Sequence, residues 1–289
     1  MTNPNLRSVE PSTLKLAVLI DADNAQPSII AALLAEIATY GEATVKRIYG
    51  DFTASASAGW KKVLQNHAIK PVQQYAYTTG KNATDSTMII DAMDLLYTRR
   101  FDGFCLVSSD SDFTGLALRI REEGLLVFGF GEEKTPEAFR NACHKFVLTE
   151  VLRPRVEPPL TSPPAPPVVA PPLPAPSTIT IANGVQTALA TLAATPEPPA
   201  PPKSTTPVVP RKFLLTALSN TPADDAGWVH LGAFGGYLNK VKSDFDPRIY
   251  GFKKLSDLIR TMTKDIEIDE RPPGSSTSKA LYIRRRGAG

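Results

Sequence analysis

The stretches LAVLIDADN (residues 16–24) and FCLVSSDSDF (residues 104–113) decide the fold of this chain. In each of them a short apolar run, typical of a buried strand, passes directly into aspartate. Similar β-rich runs alternate with helical apolar periodicity over residues 15 to 149. That alternation predicts an α/β domain, in which a parallel sheet carries helices on both faces.

The predicted elements of this domain follow from the same periodicities. Strands are predicted at residues 15–20, 43–49, 70–75, 103–108, 125–130 and 145–148, and helices at residues 27–40, 57–66, 84–98, 111–123 and 136–142. Pro27 suits a first helical turn, whereas Gly41 and Gly124 suit helix C-terminal ends.

Aspartates lie where these elements meet. Asp21, Asp110 and Asp112 follow predicted strands, and Asp85 opens the helix TDSTMIIDAMDLLY. Taken singly, each could merely cap or favour a helix N-terminus. Three separate motifs are nevertheless expected to meet at the carboxyl edge of one sheet, where open α/β sheets place their ligand sites.

Carboxylates crowded together repel each other unless a cation neutralises them, so Asp21, Asp85, Asp110 and Asp112 predict a Mg²⁺ or Mn²⁺ site. One or two such ions support cleavage of a phosphodiester bond. Asn24 is predicted to orient a phosphate or the attacking water.

Other polar residues of this domain are predicted to have no catalytic role. Asp91 is expected to pair with a backbone group or a basic side chain, because it lies about 240° around the helix from Asp85. Asp94 is expected to be solvated, and Ser108 and Ser109 to serve the turn.

The composition is that of an ordinary globular protein. Of 289 residues, 42% are hydrophobic, enough to bury a core. The apolar runs are shorter than the roughly 20 residues that span a bilayer, and the N-terminus lacks the pattern of a secretory signal. We therefore expect a cytoplasmic protein without a membrane segment, with Cys105 and Cys143 as reduced thiols.

Proline dominates residues 154–210, which contain 18 of the chain's 27 prolines. This composition predicts an extended spacer without a core, reaching up to roughly 150 Å at about 3.1 Å per residue. On that basis the regions before and after it need not touch.

The region after the spacer is small and basic. Residues 203–289 carry a net charge of +6. Three amphipathic helices, at residues 213–218, 231–238 and 252–262, precede two alternating strands at residues 265–269 and 280–284. Three helices followed by a hairpin predict a winged helix, an α+β module, and its charge favours a polyanionic partner.

The first region resembles a known family. The runs IDADN, TGKNATDSTMIIDAMDLLY, FDGFCLVSSDSDF and VFGFGEEKTPEAF occur in the order of the NYN domain, the LabA-like branch of the PIN-like nucleases. The resemblance implies a Mg²⁺- or Mn²⁺-dependent ribonuclease fold, with Asp21, Asp85, Asp110 and Asp112 in its acidic positions and Asn24 in the accompanying polar one.

The last region, with GWVHLGAFGGYLNKVKSDFDPRIYGFKKLSDLIRTM (residues 227–262), resembles an OST-HTH, or LOTUS, domain. The resemblance implies RNA binding. Trp228, Phe245 and Phe252 are expected in its core. Phosphate contacts are expected from basic residues of both domains, namely Lys81, Lys240, Lys242, Arg248, Lys253, Lys254, Arg284, Arg285 and Arg286.

These resemblances predict four segments. They are a flexible N-terminus at residues 1–13, an NYN domain at 14–152, a proline-rich disordered linker at 153–207 and an OST-HTH domain at 208–286.

The leading hypothesis is a metal-dependent ribonuclease that cleaves single-stranded RNA recruited by its LOTUS domain. One alternative is an RNA-binding adaptor that does not cleave, and another is a phosphatase of the haloacid dehalogenase type, suggested by Asp21 and Asp23. A Toprim site ranks last, because Asp21 stands where that type needs a glutamate. DNA stays open as a partner, since phosphate contacts do not distinguish the sugar.

Overall fold

The computed structural model of the chain describes residues 13–53, 58–75, 83–153, 207–271 and 280–287. The predicted N-terminal segment up to residue 12, nearly all of the predicted linker and Lys81 lie outside the described residues.

The first domain is built on a six-stranded sheet with the order β3-β2-β1-β4-β5-β6, in which all neighbouring strands are parallel. Its strands are β1 Lys15–Asp21, β2 Glu42–Gly50, β3 Lys70–Gln73, β4 Gly103–Val107, β5 Leu126–Gly131 and β6 Lys145–Leu148. Its helices are α1 Ile30–Ile37, α2 Ala58–His67, α3 Ala83–Tyr97, α4 Thr114–Glu122 and α5 Glu137–Ala142. Short 3₁₀ turns at Pro27–Ile29, Ser111–Phe113 and Thr149–Leu152 complete it. The predicted parallel sheet with flanking helices is confirmed.

The sheet has a hydrophobic core on each face because successive side chains of a strand point to opposite sides. Leu19 lies in the cluster that includes Met88 of α3 and Phe139 of α5. Val18 lies in the cluster that includes Leu33 of α1. The helices are thus divided between the two faces, and this division explains why the central strands are buried almost throughout.

The strand order reverses between β1 and β4. From β1 the chain moves outward through β2 and β3, then returns to place β4 on the other side of β1. Such a switch point leaves a crevice at the carboxyl ends of the two strands. Asp21 ends β1, and Asp110 follows β4, so the topology itself places both at this crevice.

The second domain combines helices with a small antiparallel sheet of the order β7-β9-β8. Its elements are α6 Arg211–Ser219, β7 Val229–His230, α7 Leu231–Val241, α8 Leu255–Arg260, β8 Ile266–Arg271 and β9 Ala280–Arg285, with a 3₁₀ turn at Pro247–Tyr250. Leu214, Phe234 and Leu258 are fully buried in its core.

Two details of this domain differ from the prediction. The third helix begins at Leu255 rather than at residue 252, because the preceding 3₁₀ turn is followed by Gly251, whose φ of 86° is left-handed. The two-residue strand β7 was not predicted, since so short a segment has no periodicity of its own.

The two domains pack against each other. The backbone N–H of Phe146, in the outer strand β6, donates to the carbonyl oxygen of Ser243 (2.9 Å), which covers that sheet edge. Arg140 pairs with Asp244 (2.8 Å), and Arg248 pairs with Glu36 (2.7 Å). The length of the linker predicted only that the domains need not touch. Linker length sets how far apart the domains can be, but it carries no information about the surfaces that meet.

None of the helices in the described part of the chain has the length and hydrophobicity needed to cross a bilayer.

Candidate metal centre

Asp21 is held at the end of β1 by burial and hydrogen bonds. Its side chain is fully buried. The carboxylate accepts hydrogen bonds from the backbone N–H of Asp23 (2.9 Å), from Asn24 Nδ2 (2.7 Å) and from Ser108 Oγ (2.9 Å). Burial raises the pKa of Asp21, and although these three hydrogen bonds lower it, the pKa stays above its ordinary value.

Three further carboxylates converge beside it. Oxygen atoms of Asp85, Asp110 and Asp112 all lie within 4.8 Å of one another. Asp85 comes from the first turn of α3, whereas Asp110 and Asp112 come from the segment after β4. The structure therefore brings Asp85 together with Asp110 and Asp112, which lie 25 and 27 positions further along the chain.

Asp110 also caps the turn that follows it. Its Oδ1 accepts from the backbone N–H of Asp112 (3.0 Å), and its own N–H donates to Ser108 Oγ (3.1 Å). Asp110 therefore both caps the turn, as the sequence allowed, and belongs to the carboxylate cluster. These bonds fix the direction of the Asp110 carboxylate.

The electrostatics of the cluster suit a cation. The pKa of Asp85 is raised to about 6, first by burial and then by the negative charges of Asp21, Asp110 and Asp112. An oxygen-only set of crowded carboxylates is the donor type that Mg²⁺ and Mn²⁺ prefer. The residues present thus fit a divalent metal.

Asp21 and Asn24 occupy a different position from the other predicted site residues. Asp21 contributes its charge at Asp85 but lies outside the group of three whose oxygens all approach within 4.8 Å. Asn24 is turned toward Asp21, to which its amide donates. Both therefore border the cluster, and Asn24 orients the Asp21 carboxylate.

Ser108 has a part that sequence reasoning missed. It was expected only to serve the turn, as Ser109 does by accepting from the backbone N–H of Glu132 (2.9 Å). Instead, the Ser108 hydroxyl joins Asp21 to the backbone of Asp110. Its place immediately before the Ser-Asp-Ser-Asp run was the available signal.

Two expectations about residues outside the centre are confirmed. Asp91 accepts hydrogen bonds from Arg47 and from the hydroxyl of Tyr49, and so has a structural role. Cys105 and Cys143 are both buried free thiols.

The predicted basic RNA contacts fall into two groups with different surroundings. On the hairpin, Arg284 and Arg286 both face Glu267, at 2.7 and 3.9 Å, and Arg285 donates to Ser219 Oγ (3.4 Å). The second group comprises Lys240, Lys242, Arg248, Lys253 and Lys254. In it, Arg248 is paired with Glu36 and Asp246, and Lys242 approaches Asp244 (3.9 Å). The four lysines of this group are exposed.

The three aromatic residues expected in the core differ in their burial. Phe245 is buried, whereas Phe252 and Trp228 are half-buried. The Trp228 ring instead packs under the guanidinium groups of Arg284 (4.6 Å to the ring centroid) and Arg271 (5.2 Å). An aromatic ring in the core and an aromatic ring beside cationic groups are not distinguishable from local sequence alone.

Comparison with known protein families finds two domains in the chain. Residues 15–150 match the family model of the NYN domain, and residues 208–277 match that of the OST-HTH/LOTUS domain. No curated protein matches the chain.

Two solved structures are similar to parts of it. The solution structure of an uncharacterized protein from Nitrosomonas europaea is 47% identical over 34% of this chain and 92% of that one, with a TM-score of 0.26. The crystal structure of a protein of unknown function from Vibrio parahaemolyticus is 18% identical over 48% of this chain and 94% of that one, with a TM-score of 0.41.

Proposed function

The chain joins an NYN domain to an OST-HTH/LOTUS domain, and on that premise we propose that it is a metal-dependent ribonuclease acting on single-stranded RNA. The NYN domain belongs to the PIN-like nuclease superfamily, and the LOTUS domain supports RNA as the substrate. The observation that carries the proposal is the convergence of Asp85, Asp110 and Asp112 at the switch point of the sheet.

The proposed metal ligands are Asp85, Asp110 and Asp112, with Asp21 bordering them. A bound Mg²⁺ or Mn²⁺ would polarise a phosphoryl oxygen and activate a water molecule for attack on the phosphodiester. The chain's own contribution is to hold the carboxylates in place. Asn24 and Ser108 orient Asp21, and the hydrogen bond from Asp112 N–H orients Asp110.

The same geometry weighs against a phosphatase that uses Asp21 as its nucleophile. Asp21 is fully buried, and three donors already occupy its carboxylate. An attacking carboxylate needs access to phosphorus. We further propose that the protein acts in the cytoplasm, where buried Cys105 and Cys143 remain thiols.

Cleavage of a labelled circular single-stranded RNA tests the proposal. The purified protein is incubated with Mg²⁺, with Mn²⁺ or with EDTA. We expect metal-dependent linearisation of the circle, lost in the double variant Asp110→Asn/Asp112→Asn because the cluster then lacks two of its three negative charges.

Asp94→Asn is the matched control. Asp94 lies on α3, the helix that carries Asp85, but it is exposed and nine residues further along. The Asp94→Asn substitution removes one charge outside the cluster, so cleavage is expected to persist. A circle that is bound but stays intact with every metal contradicts the ribonuclease and favours the adaptor that binds without cleaving.

A further inference from the structure

A cavity of about 290 Å³ lies where the two domains meet. Lys145 of β6 reaches it from the NYN domain, whereas Asn239, Lys253 and Lys254 reach it from the OST-HTH domain. The lining is composite, because Lys145 comes from the NYN domain whereas the other lining residues come from the OST-HTH domain.

The lining is positively charged after its ion pairs are counted. Arg248 also lines the cavity, but its guanidinium is balanced by Asp246 (2.6 Å) and Glu36 (2.7 Å). Within the described ranges, Lys145, Lys253 and Lys254 form no salt bridge. Three cationic side chains that line the cavity are thus outside any salt bridge in the described part of the chain.

Lys145 is the most constrained of the three. Its ammonium donates a long hydrogen bond to Asn239 Oδ1 (3.4 Å). Burial lowers the pKa of Lys145, and the partly opposing charges of Asp246, Arg248 and Glu36 leave it below its ordinary value. An anion in the cavity would favour the charged ammonium.

The arginines on the paired strands β8 and β9 of the OST-HTH domain differ in this respect. Arg284 is paired with Glu267 (2.7 Å), and Arg271 is paired with Asp269 (2.7 Å) and Asp224 (3.2 Å). A phosphate approaching these arginines would compete with carboxylates. The composite cavity is therefore the better phosphate site, although the hairpin is richer in arginine.

We propose that this cavity binds backbone phosphates of a single RNA strand, with Lys145 contacting the strand from the NYN domain and Lys253 and Lys254 contacting it from the OST-HTH domain. The proposal rests on the proposed function in taking RNA as the ligand. One strand held by both domains would be presented to the nuclease domain by the surface that joins them.

Binding of a short labelled single-stranded RNA to the full chain, measured in EDTA over a range of KCl concentrations, tests the proposal. Each phosphate contact on a single strand contributes about 0.7 to the slope of log K against log salt. We expect Lys145→Gln to lower the slope by about 0.7 and Lys253→Gln/Lys254→Gln by about 1.4, with weaker binding in both. Lys145→Arg is expected to keep the slope, because it keeps the charge.

The matched control is Lys212→Gln/Lys264→Gln, which removes the same charge from exposed lysines of the OST-HTH domain that do not line the cavity. Its slope is expected to change by less than that of Lys253→Gln/Lys254→Gln. An unchanged slope in Lys145→Gln, or an equal loss in the control, overturns the proposal. Inorganic phosphate that displaces the RNA at concentrations similar to those of the RNA itself would also overturn it, in favour of a small-anion site.

The two proposals can fail separately. Full cleavage of the circular RNA by a Lys145→Gln variant whose salt slope is unchanged overturns the composite site and leaves the ribonuclease. Loss of slope in Lys145→Gln, in a protein that binds the circular RNA but leaves it intact with every metal, leaves the composite site and overturns the ribonuclease.

Discussion

At the scale of single residues, the Ser108 hydroxyl is the direct link between the ends of β1 and β4. It donates to Asp21 and accepts from the Asp110 N–H. Residues that orient a metal ligand in this way cost about 10-fold to 100-fold in activity when they are removed. We expect Ser108→Ala to lower the rate of RNA cleavage by that factor, measured alongside its urea unfolding curve.

Ser109→Ala separates orientation from stability. Ser109 is also buried and also accepts a backbone hydrogen bond, but from Glu132 outside the cluster. It is expected to lower the free energy of unfolding by a similar amount, about 1 kcal/mol, while cleavage stays close to normal. Equal loss of cleavage in both variants would contradict the role given to Ser108.

A second residue with a defined task is Asp91, which accepts from Arg47 and from the hydroxyl of the buried Tyr49. Asp91→Ala leaves two donors without their acceptor. We expect the free energy of unfolding to fall by about 2 to 4 kcal/mol. Urea denaturation measures it, with Asp94→Ala on the exposed side of the same helix expected to change stability by less than about 0.5 kcal/mol.

At the scale of elements, Gly129 sets how closely β6 and the end of α5 pack against β5. A Cβ at this position would lie 2.4 Å from Phe146 Cδ2 and 2.7 Å from Cys143 Sγ, and both of those side chains are buried. Gly129→Ala is therefore expected to lower the free energy of unfolding by about 1 to 3 kcal/mol, as overpacked cores do. Thermal unfolding monitored by circular dichroism would measure the loss.

Gly115→Ala is the corresponding control. Gly115 is exposed near the start of α4, and nothing lies within 4 Å of the added Cβ. Since alanine favours a helix over glycine by about 0.5 to 1 kcal/mol, this variant is expected to be more stable. A destabilised Gly115→Ala protein, or an unaffected Gly129→Ala protein, would contradict this account of the packing.

At the scale of the whole molecule, the contact between the domains depends on the charge of Glu36. Burial raises the pKa of Glu36, but hydrogen bonds from Arg248 and Tyr40 and the charges of Arg248 and Lys145 outweigh it, so the pKa lies below its ordinary value of 4.5. A lowered pKa means that the contact is stabilised above about pH 4.5 and loses that stabilisation as the pH falls through the lowered value.

Small-angle X-ray scattering over this pH range checks the sign. The radius of gyration is expected to grow on acidification as the domains separate. Glu36→Gln lacks this charge at every pH. We expect it to weaken the contact between the domains at neutral pH by on the order of 1 kcal/mol, so that the domains separate more often. Glu42→Gln, at an exposed position in β2, is expected to behave like the unchanged protein. If Glu36→Gln left the radius of gyration unaltered at neutral pH, the proposed role of the Glu36–Arg248 ion pair in the domain contact would be contradicted.

Local sequence was enough for most elements of the NYN domain and for the meeting of its aspartates. Asp21 and Asp110 each follow an apolar run, and parallel strands end at the same edge of a sheet, so their approach follows from order along the chain. Asp85 was predictable for the same reason, as the first turn of the helix after that edge.

The partners of polar side chains were not predictable in this way. Arg248 was expected at RNA phosphates, but in the structure it pairs with Asp246 two residues away and with Glu36, which lies 212 residues away. Lys145 had no predicted role, because nothing around it in the sequence announces Asn239 or the lysines of the other domain. Such pairs depend on which surfaces meet after folding.

The sequence by itself therefore determined the α/β architecture and the aspartates of the candidate centre, because apolar periodicity and strand-end position are local properties. The two domain families followed from the resemblance of its motifs to theirs. Only the tertiary structure decided that Ser108 links Asp21 to Asp110, that the domains contact each other, and that Lys145 shares a cavity with Lys253 and Lys254. The physical reason is that hydrogen bonds and charge balance act over a few ångströms in space, whatever the distance along the chain.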